Sequence, residues 1–287
     1  MGTSSALAPY LDRLGVSGRP PATLETLVDL HRRHLAAVPY ENLGIMLGRP
    51  PAVDSAASLA RIGETGRAGY CFHQNGALET ALRELGFEVS RRHGHVWTAD
   101  EHRSGMDLNH LVLVVTGLPT AENPGGRWWP DVGLGEGVGD PLPLVAGTYG
   151  DDPLTVTIET VDENGWSYLH HGAGSFRGIE VRNLPIDAVA VQSAHTRLST
   201  PPDGRFTGVL VVQHRNGEYV DTLRGCVLSR VGPDGHTETD VTSYDDWRAA
   251  LRDAVRLPVD DVPEDELRGL WERMLAAHEK WDAAGRR

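Results

Sequence analysis

The sequence predicts an α+β fold in three parts: helices first, then strands, then a mixed end. Three observations carry this. Apolar residues recur at helical spacing through the first ninety positions. From about residue 88 the pattern turns to short strand-like runs separated by Gly, Pro and Asp turns. In the last third, strand runs and amphipathic helices occur together. The expected parts are 1–87, 88–195 and 196–287.

In chain order, "ATLETLVDLHRRHLAAV" (22–38) sets Leu24, Leu27, Val28, His31 and Leu35 on one helical face, with Thr23 as the N-cap. A shorter helix is expected over "SAASLARIG" (55–63). Another runs from Cys71 through Leu78, Leu82 and Leu85 to a stop at Gly86. Strands follow in "EVSRRHGHVW", "NHLVLVVTG", "GRWWPDVGL", "PLTVTIE" and "GWSYLHH". "NHLVLVV" is apolar on both faces, as in a strand buried inside a barrel or sandwich. "TGLPTAENPGGR" (116–127) reads as a surface loop. Further on, "RNGE" is a hairpin turn. Two helices close the chain: one capped by Ser243 with Asp246 three residues later, the other with Pro263 near its first turn.

The bulk numbers exclude some functions. With 40 acidic against 27 basic residues, the net charge of −13 makes nucleic acid a poor partner. No apolar run approaches a membrane span, and "MGTSSALAPY" has neither a leader's pattern nor a myristoylation site. Two cysteines make no disulfide framework, so a reducing, cytoplasmic setting is the expectation.

One of those cysteines, Cys71, stands where the glycine-containing turn "GRAGY" becomes a helix. A buried packing role is the plain reading for an arbitrary cysteine. A helix N-terminus, however, is where backbone N–H groups and the helix dipole favour a thiolate. A nucleophilic thiol needs a base, and the base an orienting group. His110, at the end of the apolar strand, is the candidate base. Asp131, in the next expected strand between Trp129 and Val132, is the candidate acid. Structural alternatives stand for both: a hydrogen-bonded strand histidine and a turn-capping aspartate. The histidines of "HGH" (His93, His95) and "HRRH" (His31, His34) lack further ligands at metal-site spacing, so no metal is expected. Cys226 reads as packing inside a strand.

Five ordered motifs then carry a resemblance. "PYENL" (39–43), "RAGYCFHQN" (67–75), "NHLVLVV", "DVGLG" (131–135) and "STPPDGRFTGVLVVQHRNGEYVDTLRG" resemble the arylamine N-acetyltransferase family. The resemblance implies an N-terminal helical bundle, a β-barrel and a C-terminal α/β lid around a papain-like Cys-His-Asp core. It makes Cys71 the nucleophile, His110 the base and Asp131 its orienter. It puts Trp97 and Phe206 near the acyl or coenzyme A site. It implies acetyl-CoA or another acyl thioester as co-substrate, a small-molecule amine as acceptor, and no bound cofactor. Glu41 and Arg67 are expected to pair and support the Cys71 turn. The sequence departs from the family at Ala68, His73, Gly204 and the longer segment before Asp131, all expected near the pocket. Three alternatives stay open: an amide synthase fed by an acyl carrier protein, a thiol hydrolase, and a non-catalytic protein that kept the fold.

Overall fold

The computed structural model describes residues 6–202 and 204–286. The N-terminal Met1–Ser5, on which the reading of an absent leader partly rests, lies outside them, as does Asp203 of the "STPPDGRF" motif.

Helices α1 (Leu7–Arg13), α2 (Leu24–Ala37), α4 (Ser55–Thr65) and α5 (Cys71–Leu85) surround one apolar core, while a single turn, α3 (Leu43–Met46), sends Leu43 and Met46 into the C-terminal core. The caps are those the residue types dictate. Thr23 accepts from Thr26 N–H, Asp54 accepts from Ala57 N–H, and Gly86 ends α5 in the left-handed conformation. Leu27, Leu30, Leu59, Leu78 and Leu82 are fully buried between these helices.

Eight antiparallel strands follow as a near-closed barrel. They are β2 (Glu88–Trp97), β3 (His110–Thr116), β4 (Trp128–Trp129), β5 (Leu142–Pro143), β6 (Gly147–Tyr149), β7 (Val156–Val161), β8 (Gly165–Leu169) and β9 (Gly178–Arg182). Their order is β5-β4-β3-β2-β9-β8-β7-β6. The double-sided apolarity of β3 now has its reason. Leu113 and Val115 pack onto the helical core, while Val112 and Val114 point into the barrel core with Trp129 and Trp166.

Helix α6 (Ala188–Ser199) leads to a second sheet of β1 (Tyr40–Glu41), β10 (Val211–Asn216), β11 (Tyr219–Arg224), β12 (Val227–Gly232) and β13 (Gly235–Asp240), in the order β1-β10-β11-β12-β13. The "RNGE" turn joins β10 to β11 as expected, with Gly217 at φ +63°. Helices α7 (Tyr244–Ala249) and α8 (Glu264–Ala283) pack on this sheet through Trp247, Leu270 and Met274. Two features blur the expected three-part division. The boundary at 195/196 falls inside α6, and the sheet's first strand, β1, comes from the helical segment. Among the described residues no helix is long and apolar enough to cross a membrane.

Candidate active site

The turn before α5 is built by a glycine. Gly69 sits at φ +125°, and a Cβ there would lie 2.5 Å from the ring of His73. Gly69 also accepts Glu41 N–H at 3.2 Å, so the turn is pinned to β1. No side chain caps the helix start, which leaves the dipole end of α5 facing the Cys71 region. Cys71 is 3% exposed, with its Sγ 3.7 Å from the carbonyl oxygen of Asn109.

His110 opens β3 beside that carbonyl. Its Nε2 lies 2.7 Å from Asp131 Oδ2, so Nδ1 is the nitrogen left to face Cys71. Asp131 was expected on a strand. Instead β4 is two residues long and ends at Trp129, and Asp131 lies just past it, beyond Pro130. What places it there is hydrogen bonding. Oδ2 also accepts Trp129 Nε1–H at 2.9 Å, while Oδ1 accepts Asn75 Nδ2–H at 2.9 Å and Gly133 N–H at 3.0 Å. The buried carboxylate therefore has four donors.

Burial alone would push His110 down and Asp131 up. Their mutual charge and hydrogen bond outweigh it. His110 is raised to about 10, with the Cys71 thiol adding a hydrogen bond in the same direction, and Asp131 is held below its ordinary range with help from Asn75 and Gly133. The pair is thus a buried imidazolium–carboxylate at neutral pH.

Three residues that hold this arrangement escaped the sequence reading. Asn75, one turn after Cys71 on the same helix, bonds Asp131, the Leu111 carbonyl and Val132 N–H. Its spacing of four from Cys71 was the available signal. His31 donates through Nδ1 to the Gly139 carbonyl and so receives Asp131 N–H at Nε2, 3.2 Å away; burial keeps this ring neutral. Gly133 lies so close that a Cβ would be 2.8 Å from Cys71 Cα. Trp129, the fourth donor's source, was noted only as a neighbour.

The remaining expectations fare differently. Phe206 lines the cavity of about 420 Å³ that holds Cys71 and His110, and packs on Tyr70 at 4.5 Å. Trp97 lines a separate cavity of about 330 Å³ with His95 and His102; only Val96, Thr98, Asn109 and Arg205 are shared between the two. The Glu41–Arg67 ion pair is not made. Arg67 forks onto Asp261 at 2.6 Å and donates to the Pro258 carbonyl, while Glu41 accepts Leu43 N–H at 2.5 Å. Arg67's charge still acts on the buried Glu41: burial raises that carboxyl and Arg67 partly offsets it.

The departures expected near the pocket do not line it. Ala68 is in the helical core, and His73 is buried against Tyr70 and His195. A Cβ on Gly204 would lie 2.7 Å from the Leu198 carbonyl oxygen, and the loop before Asp131 is held by Trp128 donating to Leu118. His34 bridges Tyr10 and Gln74, and among the described residues no cluster of three or more candidate ligands could hold a metal. Cys226 is buried in the C-terminal core as a packing residue, its thiol pushed up to about 11 by burial, though it sits in the turn between β11 and β12 rather than within a strand.

A second histidine–carboxylate pair lies beside the cavity. The Tyr168 hydroxyl and His170 Nδ1 are hydrogen-bonded at 2.9 Å, and His170 Nε2 lies 3.8 Å from Glu136 with no hydrogen-bond partner. Glu136 instead accepts Ser175 N–H at 2.7 Å and the Ser175 hydroxyl. Burial dominates both groups, raising Glu136 and lowering His170 well below its ordinary value.

Known proteins match this architecture throughout. The N-acetyltransferase family model matches residues 23–263. The chain is 40% identical over 249 residues to an arylamine N-acetyltransferase of Mycolicibacterium smegmatis, covering 82% of this chain and 86% of that one. It is 33% identical over 243 residues to the pineal gland isozyme NAT-3 arylamine N-acetyltransferase of Gallus gallus, covering 77% and 82%. Among solved structures, the Mycobacterium marinum arylamine N-acetyltransferase in complex with CoA superposes with a TM-score of 0.81 at 26% identity, covering 93% of this chain and 98% of that one. With a family model spanning most of its length and relatives aligned over most of theirs, this chain belongs to the arylamine N-acetyltransferase family.

Proposed function

We propose that this chain carries an acetyl group from acetyl-CoA to an arylamine nitrogen through a thioester on Cys71. The observation that carries the reading is the meeting of Cys71 and His110 in one cavity, with Asp131 buried behind the imidazole and bonded to it.

In the first half-reaction Cys71 attacks as the thiolate whose proton His110 Nδ1 already holds, with Asp131 stabilising that imidazolium. The thiolate adds to the acetyl carbonyl. The Cys71 backbone N–H, at the uncapped start of α5, supplies a donor for the oxyanion. Collapse breaks the bond to the CoA sulfur, which takes the proton back from His110. Exchange of one thioester for another is nearly thermoneutral, so the acyl-enzyme stores the acetyl group. In the second half-reaction the amine adds to the thioester, His110 takes the amine proton, and the Cys71 thiolate leaves as the amide forms. An arylamine suits this because its nitrogen is uncharged near neutral pH, whereas an alkylamine is mostly protonated. Leu134, Phe176, Val209 and Val211 wall the cavity with apolar surface, which disfavours water as a competing acceptor.

The test is intact-protein mass spectrometry after brief exposure to acetyl-CoA without amine. The wild type is expected to gain one acetyl group and Cys71→Ala none. Acetylation of Cys71→Ala as well would overturn the assignment. A wild type that stays unmodified, yet is alkylated at Cys71 by iodoacetamide, would remove acetyl-CoA as the donor.

A further inference from the structure

The turn that precedes Cys71 contains a residue free to swing. Gly69, at φ +125°, has no Cβ to restrict the peptide that joins it to Tyr70. Two donors hold its carbonyl: Glu41 N–H at 3.2 Å and Gln74 Nε2–H at 3.0 Å. The same Gln74 nitrogen donates to the Pro39 carbonyl at 2.8 Å, on the residue before β1. One side chain of α5 thus ties the start of its own helix to the start of β1.

The direction of that amide is fixed by its neighbours. Both carbonyls can only accept, so the amide nitrogen faces them and Oε1 faces away. Oε1 lies 2.6 Å from His34 Nε2, which therefore bears the proton. Burial pushes His34 down to about 4, so the ring is neutral and carries one N–H. Its Nδ1 is then the acceptor for the Tyr10 hydroxyl, 2.9 Å away. Tyr10, His34 and Gln74 are all fully buried. A reversed Gln74 amide would press its oxygen against two carbonyl oxygens, which leaves the relay one stable arrangement.

We propose that Gln74 is a positioning residue for Cys71, and that His34 holds its amide the right way round. The inference rests on the acyl-enzyme reading given above, since Cys71 is the group positioned. In a trans peptide the N–H points opposite to the C=O. Locking the Gly69 carbonyl onto Gln74 therefore locks Tyr70 N–H as well, and with it the plane from which α5 and Cys71 start. A released glycine peptide can rotate and re-aim both.

The experiment follows Cys71 with two reagents in wild type, Gln74→Met, His34→Gln and His34→Leu. Gln74→Met keeps the side chain's length without its donor. His34→Gln keeps an N–H that can reach Oε1, and His34→Leu removes it. Acetyl-CoA with mass detection reads acyl transfer; iodoacetamide reads the thiol with no acyl donor involved. In Gln74→Met the saturating rate of acetylation is expected to fall between about tenfold and a hundredfold, with half-saturation by acetyl-CoA unmoved. The pH midpoint of alkylation should move upward, as for a thiolate that loses its ordered surroundings. His34→Leu should shift both readouts the same way, and His34→Gln should recover most of the loss. Circular dichroism checks folding; should Gln74→Met fail to fold, the two His34 variants carry the test. A wild type alkylated but not acetylated would overturn the donor in the reading above, while the alkylation midpoints still decide the role of Gln74. Folded variants that are less stable yet keep the wild-type midpoint and acetylation rate would overturn the proposal. Equal losses in His34→Gln and His34→Leu would overturn the part given to His34.

Discussion

Two buried histidine–carboxylate pairs lie among the described residues, and they end in opposite charge states. His110 and Asp131 are 2.7 Å apart and ionised; His170 and Glu136 are 3.8 Å apart, and burial drives both toward neutrality. The residue types are nearly the same and so is the degree of enclosure. The difference lies in contact and donors. Asp131 receives four hydrogen bonds, one of them from the histidine itself, while Glu136 spends an oxygen on Ser175 and leaves His170 Nε2 without a partner. Charge in a protein interior persists where the full set of partners is supplied and collapses where it is not.

The comparison can be broken most severely at its ionised end. Asp131→Asn should slow Cys71 acetylation by about a thousandfold to ten-thousandfold, the scale on which a triad loses its orienting acid; quenched-flow mass spectrometry reads it. A decrease below tenfold would show that His110 works without the carboxylate. Asn75→Ala comes next. It strips a donor from Asp131 and leaves the Leu111 carbonyl unpaired, so urea unfolding should show a loss of about 1–3 kcal/mol together with slower acetylation.

A smaller effect concerns pH. His110 is raised above its ordinary 6.5 to about 10, so its contribution to stability is complete below pH 6.5 and is lost as pH rises through about 10. Asp131, being lowered, contributes above its ordinary value of 3.8 and is lost as pH falls below it. His170 has the opposite sign to His110: lowered in the fold, it costs stability below 6.5 and nothing above. The unfolding free energy of wild type minus that of His110→Gln should therefore shrink between pH 6.5 and 10; growth across that window would contradict the assignment. The smallest change is expected from Glu136→Gln, which keeps an acceptor for Ser175. Acetylation of Cys71 should stay within about a factor of three, and a larger drop would mean that Glu136 is ionised and serving the site.

Much of the site could be read from residue order, because its parts are local signals. A cysteine after Gly-Tyr at a helix start, a histidine leading an apolar strand and an aspartate after two tryptophans are each visible in one dimension. Asp131 was nonetheless given a strand, since nothing in "GRWWPDVGL" reveals that pairing stops at Trp129 and that side-chain donors take over. Arg67 was given the wrong partner for a similar reason: Asp261 lies 194 residues away, a separation no local pattern reports. Elements without a local signature were missed outright. Helix α6 begins "AVAV", which alternates like a strand, and β13, "GHTETD", carries no apolar residue because it is an exposed edge.

The two-residue strand β1 has a consequence for how the protein is made. Tyr40 pairs with Gln213 on one side and bridges to Gly69 on the other, and Arg67, two residues before that glycine, is anchored at Pro258 and Asp261. The turn that places Cys71 is therefore completed by residues synthesised almost two hundred positions later. During translation the helical segment emerges with its thiol but without the strand and anchor that fix the thiol's surroundings. The surroundings of Cys71 are thus complete only after residues 258–261 have been made, and a nascent or truncated product ending before them would hold the same thiol in an unfinished setting.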